Sequence, residues 1–262
     1  MADIVYPVSF DGVQLPTITG LQVLSTNPYL PPKRVLTIGD IARRDKSSVS
    51  SAFYKEKRII VKVGIRRTSR ALLETSLDAL WTILQGKEKD LILPQSGATR
   101  KYITTYEDAV VGISGGSYIQ MDLIFRCSDN FGYDIAKTLL LQATSTSQNG
   151  TAQITVGGSA PTQLPIFTIT YTAATGASVD SSTIRIANDR AGQVLAITST
   201  VVAGDVFVID AQNQSVTKNG VEIAFSGAFP EYAPGINYLA YSDTVLTART
   251  FSIRVDHYRR YV

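Results

Sequence analysis

One cysteine, one histidine, one tryptophan and two methionines occur in 262 residues, and each scarcity removes a class of chemistry. With Cys127 alone, no disulfide can close within the chain and no zinc site can be assembled from its cysteines. Folding in a reducing compartment fits. Any Ser-His-Asp triad or imidazole metal site would have to use His257, which precedes Tyr258-Arg259-Arg260-Tyr261 and reads as a surface histidine at a strand end. Long apolar runs are missing too. Leu139 to Leu141 and Val206 to Ile209 fall far short of the roughly 18 residues of a membrane span, and no charged start precedes an apolar stretch at the N-terminus. A soluble protein without a signal peptide or membrane insertion is expected.

Other catalytic patterns fail on spacing. Glu107 and Asp108 are adjacent, so in a strand they point to opposite faces and cannot act as a carboxylate pair. Asp129, Asn130 and Asp134 surround Gly132 but do not match the alternating ligands of a calcium loop, which leaves a turn. Gly115-Gly116 and Gly157-Gly158 lack the helix and lysine that complete a phosphate loop. No enzyme, no cofactor and no metal site is expected.

What the chain does hold is an uneven charge. The overall excess is +3, yet twelve basic residues against three acidic ones lie between Lys33 and Arg70. Within that stretch Arg43, Arg44, Lys46, Lys55, Lys57 and Arg58 would repel one another unless acidic surface faced them. An intersubunit or tube contact and a solvated loop both satisfy that charge.

Periodicity separates two regions. Around the basic stretch, Ile38 to Tyr54 reads as an exposed loop or hairpin. From Arg58 the chain alternates, with Ile59, Val61, Val63 and Ile65 on one face of a strand. Leu73, Leu77, Leu80, Trp81 and Leu84 then form an apolar stripe at helical spacing, with Thr68 or Ser69 to cap its start and Gly86 its end, which predicts a helix over 70–85. Asp90 to Leu93, Lys101 to Tyr106 and Val110 to Ile113 read as strands, and Ile119, Met121, Leu123, Phe125 and Cys127 share one face of another. Leu139 to Pro165, rich in Thr, Ser, Gln, Gly and Pro, reads as the boundary, giving domains 1–136 and 137–262. Beyond it, strands recur at sandwich spacing. Asn219-Gly220 sits between Val216 and Val221, the strongest short-range hairpin signal because a type I′ turn needs positive φ at both central residues.

The order Ile209-Asp210, Asn219-Gly220, Phe229-Pro230, Pro234-Gly235 and Asn237, with a closing strand from Ala248 to Asp256, resembles the C-terminal signature of the distal tail protein family of long-tailed phages. The N-terminal strand and helix pattern, with Gly86-Lys87-Glu88, Lys101-Tyr102 and Phe131-Gly132-Tyr133, is similar as well. The resemblance implies a mainly β protein: an N-terminal β-barrel or sandwich with one amphipathic α-helix, and a C-terminal galectin-like β-sandwich. Asn219, Gly220, Phe229, Pro230, Pro234, Gly235 and Asn237 would serve the fold. It further implies a structural ring of six copies at the tail tip, assembled in the host cytoplasm and carried in the virion. That ring joins the tail tube protein to a tail-tip hub or tail-associated protein and a receptor-binding protein, with DNA passing only in transit. Two rival functions are a tail tube subunit, which would stack into long tubes, and a carbohydrate-binding module, for which Tyr232, Tyr238 and Tyr241 are the candidate aromatics.

Overall fold

A computed structural model describes residues 7–27, 32–40, 47–95, 98–174, 182–188, 192–244 and 249–262. The chain is mainly β and divides into two compact units, residues 1–135 with Val262 and residues 136–261.

The strands of the first unit are β1 (Ser9–Phe10), β2 (Val13–Gln14), β3 (Leu21–Thr26), β4 (Arg34–Asp40), β5 (Ser47–Tyr54), β6 (Arg58–Arg66), β7 (Lys89–Gln95), β8 (Ala98–Ser114), β9 (Tyr118–Cys127) and β10 (Gly132–Asp134). Helix α1 (Arg70–Ile83) follows β6. The main sheet runs β2-β1-β7-β8-β9-β6-β3 in antiparallel order, and β10 lies beside β8. Alternation explains its core. Ile59, Val61, Val63 and Ile65 of β6 and Met121, Leu123, Phe125 and Cys127 of β9 are buried together, as cross-strand partners sharing one face must be. Leu73, Leu80 and Leu84 seal that face, with Leu77 and Trp81 half-buried at its margin. The Ser69 hydroxyl accepts a hydrogen bond from the Leu72 amide and starts the helix. Burial pushes the Cys127 thiol up to about 12, so this cysteine behaves as a core side chain.

One expectation for this unit changes, and one open alternative is decided. Lys101 to Tyr106 and Val110 to Ile113 belong to one long strand, whose bulges near Glu107 and Gly112 interrupt the alternation that a sequence pattern would follow. The stretch from Ile38 holds a hairpin, β4 against β5, which pairs with no other strand among the described residues.

The second unit contains β11 (Thr138–Ser145), β12 (Asn149–Val156), β13 (Pro165–Ala174), β14 (Ser182–Asn188), β15 (Gln193–Ser199), β16 (Val206–Asp210), β17 (Ser215–Lys218), β18 (Val221–Glu222), β19 (Phe225–Gly227), β20 (Gly235–Asp243), β21 (Arg249–His257) and β22 (Arg260–Tyr261). One sheet runs β11-β21-β13-β16-β17-β18 and the other β12-β20-β14-β15-β19. Their inner faces meet in an apolar core built on Phe167, Ile169, Phe207, Ile184, Ile197 and Phe251. The stretch from Leu139 to Pro165, read as the boundary, holds all but the first residue of strand β11 and the whole of β12. β11 is the edge of its sheet, and each of its residues keeps at least partial contact with solvent.

A polar clasp ties the two sheets at one end. Tyr171 of β13 and Tyr241 of β20 share a hydroxyl–hydroxyl hydrogen bond of 2.6 Å, and the Tyr241 hydroxyl also donates to Asp243 at 2.6 Å. Asp243 is ion-paired with Arg249, both side chains almost wholly out of solvent. Burial drives the Tyr171 and Tyr241 phenols upward in pKa, so both remain neutral donors.

Candidate assembly surfaces

The residues proposed for an interface do not form one exposed cluster. Arg43, Arg44 and Lys46 lie outside the described residues. Lys55 is exposed, and Arg58 reaches Glu107 of β8 at 2.8 Å. Lys57 corrects the expectation: it is only 4 % exposed, and its ammonium lies 4.9 Å from the Tyr102 ring centroid. Burial lowers its pKa, while the Lys57 amide donates to Asn130 Oδ1 at 3.0 Å. The side chain turns inward because β6 begins at its neighbour and the aromatic face replaces part of its hydration.

The turn at Asp129 is likewise committed to structure. Asp129 accepts from the Phe131 amide and the Tyr133 hydroxyl, Asn130 holds Lys57, and Asp134 pairs with Arg100. Among the described residues no group of three His, Cys, Asp or Glu side chains could hold a metal ion.

What the sequence did not single out is the far end of the β8–β9 ribbon. There Val110, Val111 and Ile113 are 52 %, 53 % and 57 % exposed. Their signal was present as an apolar Val-Val-Gly-Ile run, but a strand pattern alone does not say which part of a strand outruns its core. By register Val111 shares a face with Met121, whereas Val110 and Ile113 share the opposite face with Asp122 and Gln120, so apolar groups protrude on both sides. Nearby, β3 ends the sheet with one edge unpaired among the described residues. Beside that edge Gln22, Leu24, Gly64, Arg66, Ser117 and Tyr118 line a groove of about 950 Å³. Gly64 keeps its floor low, since a β-carbon there would meet Tyr118 Oη at 3.4 Å and Leu24 Cδ1 at 3.5 Å.

In the second unit the signature residues are structural parts. Asn219 and Gly220 hold φ of +52° and +81°, the type I′ turn between β17 and β18. The Asn219 carboxamide also accepts from the Val206 amide at 2.8 Å and donates to Asp205 at 2.9 Å. Asp205 in turn receives Lys218 Nζ at 2.9 Å and the Val202 amide at 2.8 Å. Burial pushes the Asp205 carboxyl upward, yet these donors outweigh it and hold the pKa below its ordinary value. Phe229 is half-buried against the core and meets Phe225 edge-on at 5.0 Å, and Pro230 is buried. Asn237 donates to the Ala233 and Gly235 carbonyls at 2.7 and 3.0 Å, closing the Pro234-Gly235 turn.

Two further readings change here. His257 is 1 % exposed rather than on the surface, because β21 lies between β11 and β13 and places it opposite both Thr138 and Pro165. Of the candidate aromatics only Tyr238 is exposed. Tyr232 packs edge-on against Phe167 at 6.4 Å, and Tyr241 belongs to the inter-sheet clasp.

Residues 157–254 match the family model described as siphovirus-type tail component, C-terminal domain. No curated protein matches the chain. Among solved structures, the crystal structure of the SPP1 Dit (gp 19.1) protein, described as a paradigm of the hub adsorption apparatus in phages infecting Gram-positive hosts, superposes with a TM-score of 0.72 at 13% identity. That match covers 98% of this chain and 100% of the other. The phage P2 baseplate, in its activated conformation with Ca, gives 0.50 at 13% identity over 96% and 98%. The same baseplate with Sr gives 0.50 at 13% over 95% and 98%. At these identities the structural likeness establishes the fold.

Proposed function

We infer that this chain, which belongs through its second unit to the siphovirus-type tail component family, is a structural hub of a phage tail tip. The observation that carries the reading is the family match over residues 157–254, joined by a fold shared along the whole chain with the SPP1 Dit protein. It works by assembly, without catalysis. Residues 1–136 form the ring, and residues 137–262 fold as a galectin-like sandwich. Six copies close the ring, which meets the tail tube protein on one side and a tail-associated or hub protein and a receptor-binding protein on the other.

The first unit offers what a head-to-tail contact needs: a β3 edge unpaired among the described residues with a groove beside it, and a protruding ribbon carrying Val110, Val111 and Ile113. Apolar groups on a ribbon in solvent invite pairing, and a heterologous contact that repeats around an axis closes a ring. The basic stretch that holds Arg43, Arg44, Lys46, Lys55 and Arg58 adds positive charge for an acidic neighbour, a second copy or the tube. The chain is built into the virion, after assembly in the host cytoplasm. Gold-labelled antibody against the chain should decorate the tail's distal end in micrographs of intact particles. Label along the whole tail would favour a tube subunit, and none on particles would remove the reading.

A further inference from the structure

We propose that the outer face of the β12-β20-β14-β15 sheet binds an oxyanion-bearing, polyhydroxylated chain, a saccharide or polyol polymer with phosphate or carboxylate groups, through Arg185. This goes beyond the hub assignment and stands on the second unit alone. Cross-strand register builds the face in two rows. Asn149, Ser242 and Arg185 lie side by side in one, with Ala196 beyond, and Thr151, Ala240 and Ala187 lie in the next. These rows line a depression of about 550 Å³.

Arg185 sits on β14, the central strand, exposed, and its guanidinium makes no ion pair or hydrogen bond among the described residues. An opposite charge directly across from a mid-sheet cation would stabilise the pair. Here its two neighbours are Ser242 and Ala196, small and neutral, so five N–H donors stand over an open floor. A guanidinium in that position suits a bidentate phosphate or carboxylate. Asn149 lies two strands away, on the order of 10 Å, with Thr151 beside it, so amide and hydroxyl partners extend along the depression for a chain of hydroxyls. The alanines accept the C–H face of such a chain. These two rows carry no aromatic ring, and the one exposed ring of β20 on this face, Tyr238, lies one row further on beside Gln153.

Full-length chain immobilised for biolayer interferometry would be exposed to poly(glycerol phosphate), to hyaluronan and to neutral dextran, at low and moderate salt. Binding of the phosphate polymer, the carboxylate polymer or both, with dextran unbound, is expected, and the arm that binds identifies the anion. Arg185→Gln should weaken that binding at least about tenfold, whereas Lys87→Gln, an equal charge loss on the first unit, should not. Absence of binding to both polyanions overturns the proposal, as does equal binding of dextran or equal losses in the two variants. Arg185 is exposed, so matching melting curves will show that the variant is folded.

Discussion

Asn219 and Gly220 show how much a pair of residues can specify. Both lie at positive φ, and a β-carbon added at Gly220 would have nothing within 4 Å, so a side chain there meets no steric obstacle and costs only backbone strain. Gly220→Val should therefore destabilise the second unit by about 1–3 kcal/mol, read as a lowered midpoint in thermal or denaturant melts. An unshifted midpoint would mean the turn is not set by this residue. Asp205 gives a pH signature of the same hairpin. Its folded pKa lies below 3.8, so its stabilisation is complete above that value and is lost as pH falls through the folded value. Calorimetry from about pH 5 to about pH 2 should show a flatter acid limb in Asp205→Asn than in the parent; identical limbs would contradict it. The turn was legible because its chemistry is local. The burial of His257 and Lys57 was not, since it depends on which strands flank β21 and on Tyr102, which is 45 residues away in sequence from Lys57.

Elements were legible where their period was clean. The stripe from Leu73 to Leu84 became α1, and the alternations in β6 and β9 became the core face of the first unit. Bulged β8 was read as two strands and β11 as a boundary, for opposite reasons: one loses its period midway, the other is an edge strand that buries little. The ribbon formed by β8 and β9 carries the clearest prediction at this scale. Val111→Asp combined with Ile113→Asp places charge on both faces of its exposed end, outside the core. Stability should change by no more than about 0.5 kcal/mol per site, while self-association in analytical ultracentrifugation should fall sharply. Unaltered association would take the ribbon out of the interface.

At the scale of the whole molecule, the fold class follows from the strand pattern, and the match over residues 157–254 supports the tail-component reading. The assembly surface was only half legible. Basic charge can be counted along a chain, but the β3 edge, unpaired among the described residues, and its groove exist only once the sheet order is known. If the basic stretch meets acidic surface, charge reversal at Arg43 and Arg44 should loosen the oligomer, and the parent oligomer should weaken as salt rises. Salt-independent assembly, unchanged in the reversed protein, would make the stretch a solvated loop. The central claim is a closed ring, and light scattering of the purified chain at micromolar concentration, paired with electron micrographs of the same sample, tests it most directly. Six copies in single-layer rings are expected; a monomer with no rings on the grid, or long stacked tubes, would contradict the account.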